Sequence, residues 1–239
     1  MPETLLPLIL LLALGAVIFF VWLAHKHAKE RTAAIGQLAA RLRWSFLGDA
    51  KERRFEASYP QFALFRRGHS RYAHNRLSGR IQALNTDLPA IAGDYHFKIT
   101  SGSGKNRSTR TYRFSFIIVS LPFGPQLPSL RVRSENLMDK FAGAIGFADI
   151  DFESAEFSRR HHVSSSDRRF AYALIDPRMI EFLLDQHPPI FELDTGALLV
   201  ISSEGQRRWE PPAFAAALDW TRDFLTRWPA HLVTDLRAR

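Results

Sequence analysis

The stretch DYHFKITSGSGKNRSTRTYRFSFIIVSL, residues 94–121, decides the fold class. Tyr95, Phe97 and Ile99 alternate with polar neighbours, and Tyr112, Phe114, Phe116 and Ile118 do the same. Successive side chains of a strand point to opposite faces, so these runs predict strands over Asp94–Ser101 and Thr111–Leu121, each with one apolar face. Between them Gly102-Ser103-Gly104-Lys105-Asn106-Arg107 reads as a flexible, basic hairpin tip, and Leu121-Pro122 closes the second strand. Cross-strand aromatic pairs contribute roughly 0.2–1 kcal/mol each, enough to fix register but not to fold a hairpin alone.

Outward from this hairpin the pattern stays strand-rich. Short β-like runs precede it at Trp44–Leu47, Phe62–Phe65 and Tyr72–Gln82, and another follows at Leu130–Arg133. A helix is predicted over Glu135–Gly146, then strands at Ile150–Glu153 and Arg160–Val163. Asp176 caps a helix whose first residue is Pro177, with Met179, Ile180, Leu183 and Leu184 as its buried stripe. Asp194-Thr195-Gly196-Ala197 is a hairpin signal between Ile190–Leu193 and Leu198–Ile201. Pro211-Pro212 opens a last helix that Pro229 stops, with Asp223 and Arg227 four apart on its wet face. Adjacent short strands with a few helices argue α+β with mainly antiparallel strands, not a doubly wound parallel sheet.

The N-terminus is of another kind. Leu5 to Ala24 reads LLPLILLLALGAVIFFVWLA, twenty residues without an ionisable side chain. As a helix this run matches the ~30 Å hydrocarbon core of a bilayer, and in lipid only a helix satisfies its backbone. Pro7 stands in the first turn, where it is tolerated, and Trp22 at the far edge, where an amphipathic ring is favoured. A cleaved signal peptide would carry a basic n-region, a shorter apolar run and a small-residue cleavage site, whereas Glu3 precedes this run and Trp22-Leu23-Ala24-His25-Lys26 follows. The reading is an uncleaved transmembrane anchor. Residues 1–4 hold no Lys or Arg, while residues 25–44 hold Lys26, Lys29, Arg31, Arg41 and Arg43. The positive-inside rule then puts the N-terminus outside and the rest in the cytoplasm, at an inner (plasma) membrane.

These boundaries predict an anchor at 1–24, a juxtamembrane helix at 25–43, a basic β-rich lobe at 44–133, an α+β lobe at 134–230 and a tail at 231–239. Residues 25–113 hold 18 Lys+Arg against 6 Asp+Glu, and residues 114–239 hold 14 against 17. The basic part is therefore the one tethered next to the bilayer, where anionic headgroups attract each basic residue by ~1 kcal/mol.

Catalytic motifs fail one by one. The chain of 239 residues has no cysteine, which excludes disulfides, thiolate zinc sites, iron–sulfur clusters and a cysteine nucleophile. Gly102-Ser103-Gly104-Lys105 lacks the Walker loop's earlier glycine, where Ile99 stands, and its Ser or Thr, where Asn106 stands. Asp149, Asp151 and Glu153 would share one face of a strand, yet an EF-hand from Asp149 would need Gly at Ser154 and Glu at Arg160. His69 and His74 are five apart, not the four of a zincin helix, and His161 and His162 would point to opposite faces of a strand. Gly68-His69-Ser70-Arg71-Tyr72 starts like a nucleophile elbow but lacks its final glycine. No cofactor, metal or catalytic residue is assigned on these patterns.

One long stretch carries a resemblance. Asp151-Phe152-Glu153-Ser154, then Phe157-Ser158-Arg159-Arg160-His161-His162-Val163, Ser165-Ser166-Asp167 and Phe170 through Leu183 form a series with Asp176-Pro177 at its hinge. With the hairpin segment Asp94–Arg110 it is similar to a pattern in uncharacterised bacterial proteins anchored by an N-terminal hydrophobic segment. The likeness covers residues 60–205 and departs from the pattern at Ala83–Gly93. It implies a bacterial membrane protein and supplies no catalytic residues to carry over.

The expectation is a single-pass membrane protein whose cytoplasmic domain is a non-catalytic binding or scaffold module. Its partners would be anionic lipid headgroups or a protein, and not nucleic acid. The contact residues expected are Arg66, Arg67, Arg71, Lys105, Arg107 and Arg110. The alternative is a membrane-tethered, hydrolase-like enzyme that assembles His161 or His162 with Asp151 and Glu153.

Overall fold

The computed structural model describes residues 5–134, 149–186, 188–202 and 207–238. In chain order it contains α1 (Leu5–Leu42), β1 (Ser45–Phe46), α2 (Phe55–Ser58), β2 (His69–Ala83), β3 (Thr86–Ser101), β4 (Ser108–Ser120) and β5 (Leu130–Ser134). There follow α3 (Ala155–Arg160), β6 (His161–Ser165), α4 (Arg168–Leu174), α5 (Pro177–Gln186), β7 (Ile190–Asp194), β8 (Ala197–Ile201), α6 (Pro211–Thr226) and α7 (Ala230–Ala238). The architecture is α+β, a long apolar N-terminal helix followed by one eight-stranded antiparallel sheet and several helices.

Helix α1 spans 38 residues, about 57 Å at 1.5 Å per residue. The apolar run and the basic segment after it are thus one continuous helix. Side chains from Ile9 to Trp22 face outward, while Arg31, Ile35, Leu38 and Ala39 form a stripe packed on the sheet. The helix ends in a Schellman-type turn, with Arg43 in the left-handed region, Trp44 N donating to Ala39 O and Arg43 N to Ala40 O. Trp44 then lies against Gly79 of β2, where an added Cβ would stand 2.3 Å from the indole. Only glycine fits there.

The strand order is β1-β2-β3-β4-β8-β7-β5-β6. The hairpin read at 94–121 is β3–β4, in register from Ala90↔Val119 to Ser101↔Ser108. Alternation along it divides the core. On one face Ile117, Val119, Leu198 and Val200 meet α1, α6 and the helices of the second half. On the other, Tyr95, Phe97, Phe114 and Phe116 are covered by Phe55 and Phe65, with ring centroids 4.9 Å apart for both Phe55–Phe116 and Phe65–Tyr95. At the β7–β8 turn Thr195 and Gly196 both have positive φ, the geometry that glycine eases.

Several sequence expectations change. Phe62–Phe65 is not a strand: Ala63–Arg66 forms a 3-10 turn, because both phenylalanines are drawn down onto the aromatic face. Ala83–Gly93, which departed from the family pattern, supplies the Leu84-Asn85 turn and the start of β3. Ile150–Glu153 is also not a strand: a single bridge, Asp149↔Ser164, joins this segment to β6, and the chain then turns into α3. Residues 231–238, set apart as a tail, lie in α7 with Leu232 and Leu236 buried. The division at 133/134 falls inside β5, and β4 from one part pairs with β8 from the other. Arg227 donates to the Asp223 main-chain carbonyl, and its guanidinium lies 4.3 Å over the Phe182 ring, in place of the expected ion pair. The helix expected at 135–146 lies outside the described residues.

Candidate functional site

Two polar features stand out, one buried and one exposed. The buried one is centred on Asp94 in the middle of β3, a carboxylate with no exposed surface. Arg31 of α1 grips it in a fork, Nη1 at 2.5 Å and Nη2 at 3.0 Å. Asn75 of β2 donates at 3.0 Å and Ser115 of β4 at 2.7 Å. Arg31 also donates to the Trp209 carbonyl at 2.7 Å, Trp209 N donates to Ser115 Oγ, and Thr32 Oγ1 donates to Asn75. Burial alone would raise the Asp94 pKa, but the hydrogen bonds and charge of Arg31, with those of Ser115 and Asn75, hold it below the ordinary carboxylate range. A fully bonded carboxylate with no exposed surface is out of reach of any substrate. Its work is to fix α1, three strands and the segment before α6 to one another.

The sequence reading missed this group. Arg31 counted there only toward flank charge, although an ionisable residue spaced 4, 7 and 8 before Ile35, Leu38 and Ala39 lies on their face. Asp94 reads in the sequence as the start of a strand. It stands in line with Ala90 and Ala92, an inward position where a carboxylate needs a partner.

The exposed feature gathers the six predicted basic residues at one end of the sheet. Lys105, Arg107 and Arg110 stand exposed at the β3–β4 tip. Arg66 is exposed and Arg67 half-buried just before β2, whose His69 pairs with Lys98 of β3. Arg71 is partly used internally: it bonds the carbonyls of Arg66 and Gly68 and pairs with Glu56 at 2.9 Å.

The same end releases the apolar half of α1. Thr32 meets Asn75, and further on Trp44 meets Gly79, so α1 runs along β2 toward that strand's C-terminus. Its N-terminal half therefore departs over the opposite end, where β2 begins and the β3–β4 tip projects. About 10 Å of helix separates Arg31 from Ala24. About 23 Å of strand separates Asp94 from Ser101, enough for the tip to reach the level at which the apolar run begins.

The residues of the enzymatic alternative do not converge. His161 is buried and stacks on Phe157 at 4.7 Å, whereas His162 turns the other way and pairs with Asp149 at 2.8 Å. Asp151 and Glu153 stand exposed on the irregular segment, where the Asp151 carbonyl accepts from Tyr172 Oη. Among the described residues no three His, Asp or Glu side chains are grouped to hold a metal ion. A cleft of about 900 Å³ between α5 and the α6–α7 corner is lined by Asp176, Glu181, Asp185 and His231, among others, and includes none of these four.

No family model and no curated protein matches this sequence. Among solved structures it is similar to the mycobacterial trehalose monomycolate transport factor A, TtfA. The two share 13% identity at a TM-score of 0.51, over 84% of this chain and 96% of that one. At that identity the likeness is one of fold, and it takes in nearly the whole of the solved TtfA chain.

Proposed function

We propose that this chain is a single-pass inner-membrane protein, N-terminus outside, whose cytoplasmic α+β domain is a non-catalytic binding module resting on the lipid surface by its basic end. One observation carries the reading: the exposed apolar half of α1 and the basic β3–β4 tip leave the domain from the same end. A membrane that takes up the helix meets Lys105, Arg107 and Arg110 next. The unbroken helix across Ala24, pinned by Arg31 seven residues later, supports an anchor that is retained rather than cleaved. The Lys and Arg bias of residues 25–44 supports the cytoplasmic placement. TtfA's role as a transport factor accords with an accessory task at a membrane rather than chemistry.

The lack of cysteine makes the test clean. Ser103→Cys, labelled with a fluorophore in the full-length protein reconstituted into vesicles, places one reporter at the tip. Headgroup-depth quenchers should reach it in anionic vesicles at low salt, and less so near 1 M salt, where the screening length shrinks to about 3 Å. Lys105→Glu, Arg107→Glu and Arg110→Glu together should abolish the quenching. A tip equally remote from lipid in neutral and anionic vesicles removes the reading.

A further inference from the structure

The sheet face that carries Asp94 continues past Arg31 toward the hairpin tip, and there it is built of cations. Register sets Tyr72, His96 and Arg113 side by side across β2, β3 and β4, one step beyond the Asp94 row, with Lys98 one step further. Tyr72 stacks on His96 at 4.5 Å and carries Lys51 Nζ 5.0 Å above its ring. His96 Nδ1 faces the Ser70 carbonyl at 3.1 Å and must donate to it, which leaves Nε2 as the free nitrogen. Burial first, then the charges of Arg113, Lys98 and Lys51, lower the His96 pKa, so those three cations act on one spot. Arg208 joins them from the segment before α6, 3.9 Å from Asp94 and within electrostatic reach of Arg113.

Asp94 is the buried carboxylate of this face, and two exposed ones, Glu30 and Glu210, line the rim beside α1, Glu210 3.9 Å from Arg31 Nε. Asp94 is forked by Arg31, and among the described residues neither Lys51, Lys98 nor Arg113 is paired with a carboxylate. Arg208 also lines a cleft of about 490 Å³ that reaches along α1 to Ala24, the last residue of the apolar run. The His96 row lies about 7 Å from Asp94 toward the membrane, within the roughly 10 Å of helix between Arg31 and Ala24.

We infer that this face is a binding site for the phosphate of an anionic membrane phospholipid, held by Arg113, Lys98 and Arg208 above the Tyr72–His96 stack, with the acyl chains along α1. It rests on the membrane placement proposed above and names the ligand class that the placement would select. The fork of Arg113 suits a phosphate oxygen pair, and Lys98 and Arg208 supply point charges around it. Lipid is favoured over a free anion because the cleft that Arg208 lines runs along α1 to the end of the apolar run at Ala24.

Native mass spectrometry of the full-length protein, extracted from nanodiscs of mixed phosphatidylglycerol and phosphatidylcholine, reads the occupancy. The wild-type protein should retain phosphatidylglycerol selectively. Lys98→Gln with Arg113→Gln should lower that retention by about thirtyfold, at ~1 kcal/mol for each charge removed. Arg178→Glu, on the exposed side of α5, controls for net charge and should leave retention unchanged. The tip variant with Glu at 105, 107 and 110 should lose quenching yet keep its lipid, so failure of the surface-docking reading and failure of this site give different patterns. Unchanged retention in the Lys98/Arg113 variant overturns the inference. So does millimolar inorganic phosphate displacing the lipid completely, which would make this a free-anion site.

Discussion

The two halves of α1 invert the usual rule of burial. Leu11, in the first half, is 68% exposed, whereas Arg31, in the second, is 7% exposed. One unbroken helix thus shows leucines to the outside and hides an arginine. A contiguous apolar surface of that length marks a face meant for lipid or for another protein, since water-facing monomers rarely carry one. The second half is held by pairing and packing, through the Arg31–Asp94 fork and the Ile35, Leu38 and Ala39 stripe. What separates the halves is whether their side chains face outward or pack on the sheet, with the change made within about two turns of helix.

Breaking the fork should give the largest effect. Arg31→Leu leaves Asp94 buried without its forked partner and with only Arg208, at 3.9 Å, as a nearby cation, a change that costs about 3–5 kcal/mol. Asp94→Leu strands the guanidinium in the same way. The double variant should recover most of the loss, because apolar groups of similar volume replace a buried pair at little cost. Urea unfolding of the full-length protein in micelles reads all three, and a double variant no more stable than the single ones contradicts this account of the pair. Next in size, Leu38→Ala should cost about 2–5 kcal/mol as a cavity on the sheet. Leu11→Ala deletes the same atoms from the outward half and should leave the domain's midpoint within about 0.5 kcal/mol.

How far the sequence disclosed this arrangement depends on the range of the interactions. The β3–β4 hairpin was legible because its alternation is local and its Gly-rich tip unambiguous, and so was α5, whose Asp176 side chain accepts from Met179 N. Strand calling failed at Phe62–Phe65 and Ile150–Glu153, where short apolar runs fit a turn as well as a strand. The Arg31–Asp94 fork joins residues 63 apart and Arg31–Trp209 residues 178 apart, so no window of sequence contains either. The basic end is a middle case. Its six residues were named from charge alone, while their placement beside the exit of α1 needed the register of β2 against β3.

The smallest effect tests how dry the surroundings of Asp94 are. His74 pairs with Asp94 across β2 and β3. Burial lowers its pKa from 6.5 despite the opposing pull of Asp94, with Arg208, Arg31 and His96 adding to the fall. Burial likewise lowers that of His96, against the Ser70 carbonyl, and Arg113, Lys98 and Lys51 assist. For each, the unfolded imidazole takes up its proton before the folded one does. Stability is therefore complete above pH 6.5 and falls as pH drops through the folded values, since the unfolded chain then binds more protons. Asp94 extends the same slope into the carboxylate range, below 3.8, as its own depressed pKa is crossed. Urea midpoints between pH 8 and 5 should decline for the native sequence and decline less steeply for His74→Gln, where His96 alone remains of the two, whereas the Leu11→Ala variant keeps the native slope. A His74→Gln protein with an undiminished slope places water beside Asp94, and the fork would then hold α1 through a wet contact weaker than a buried pair.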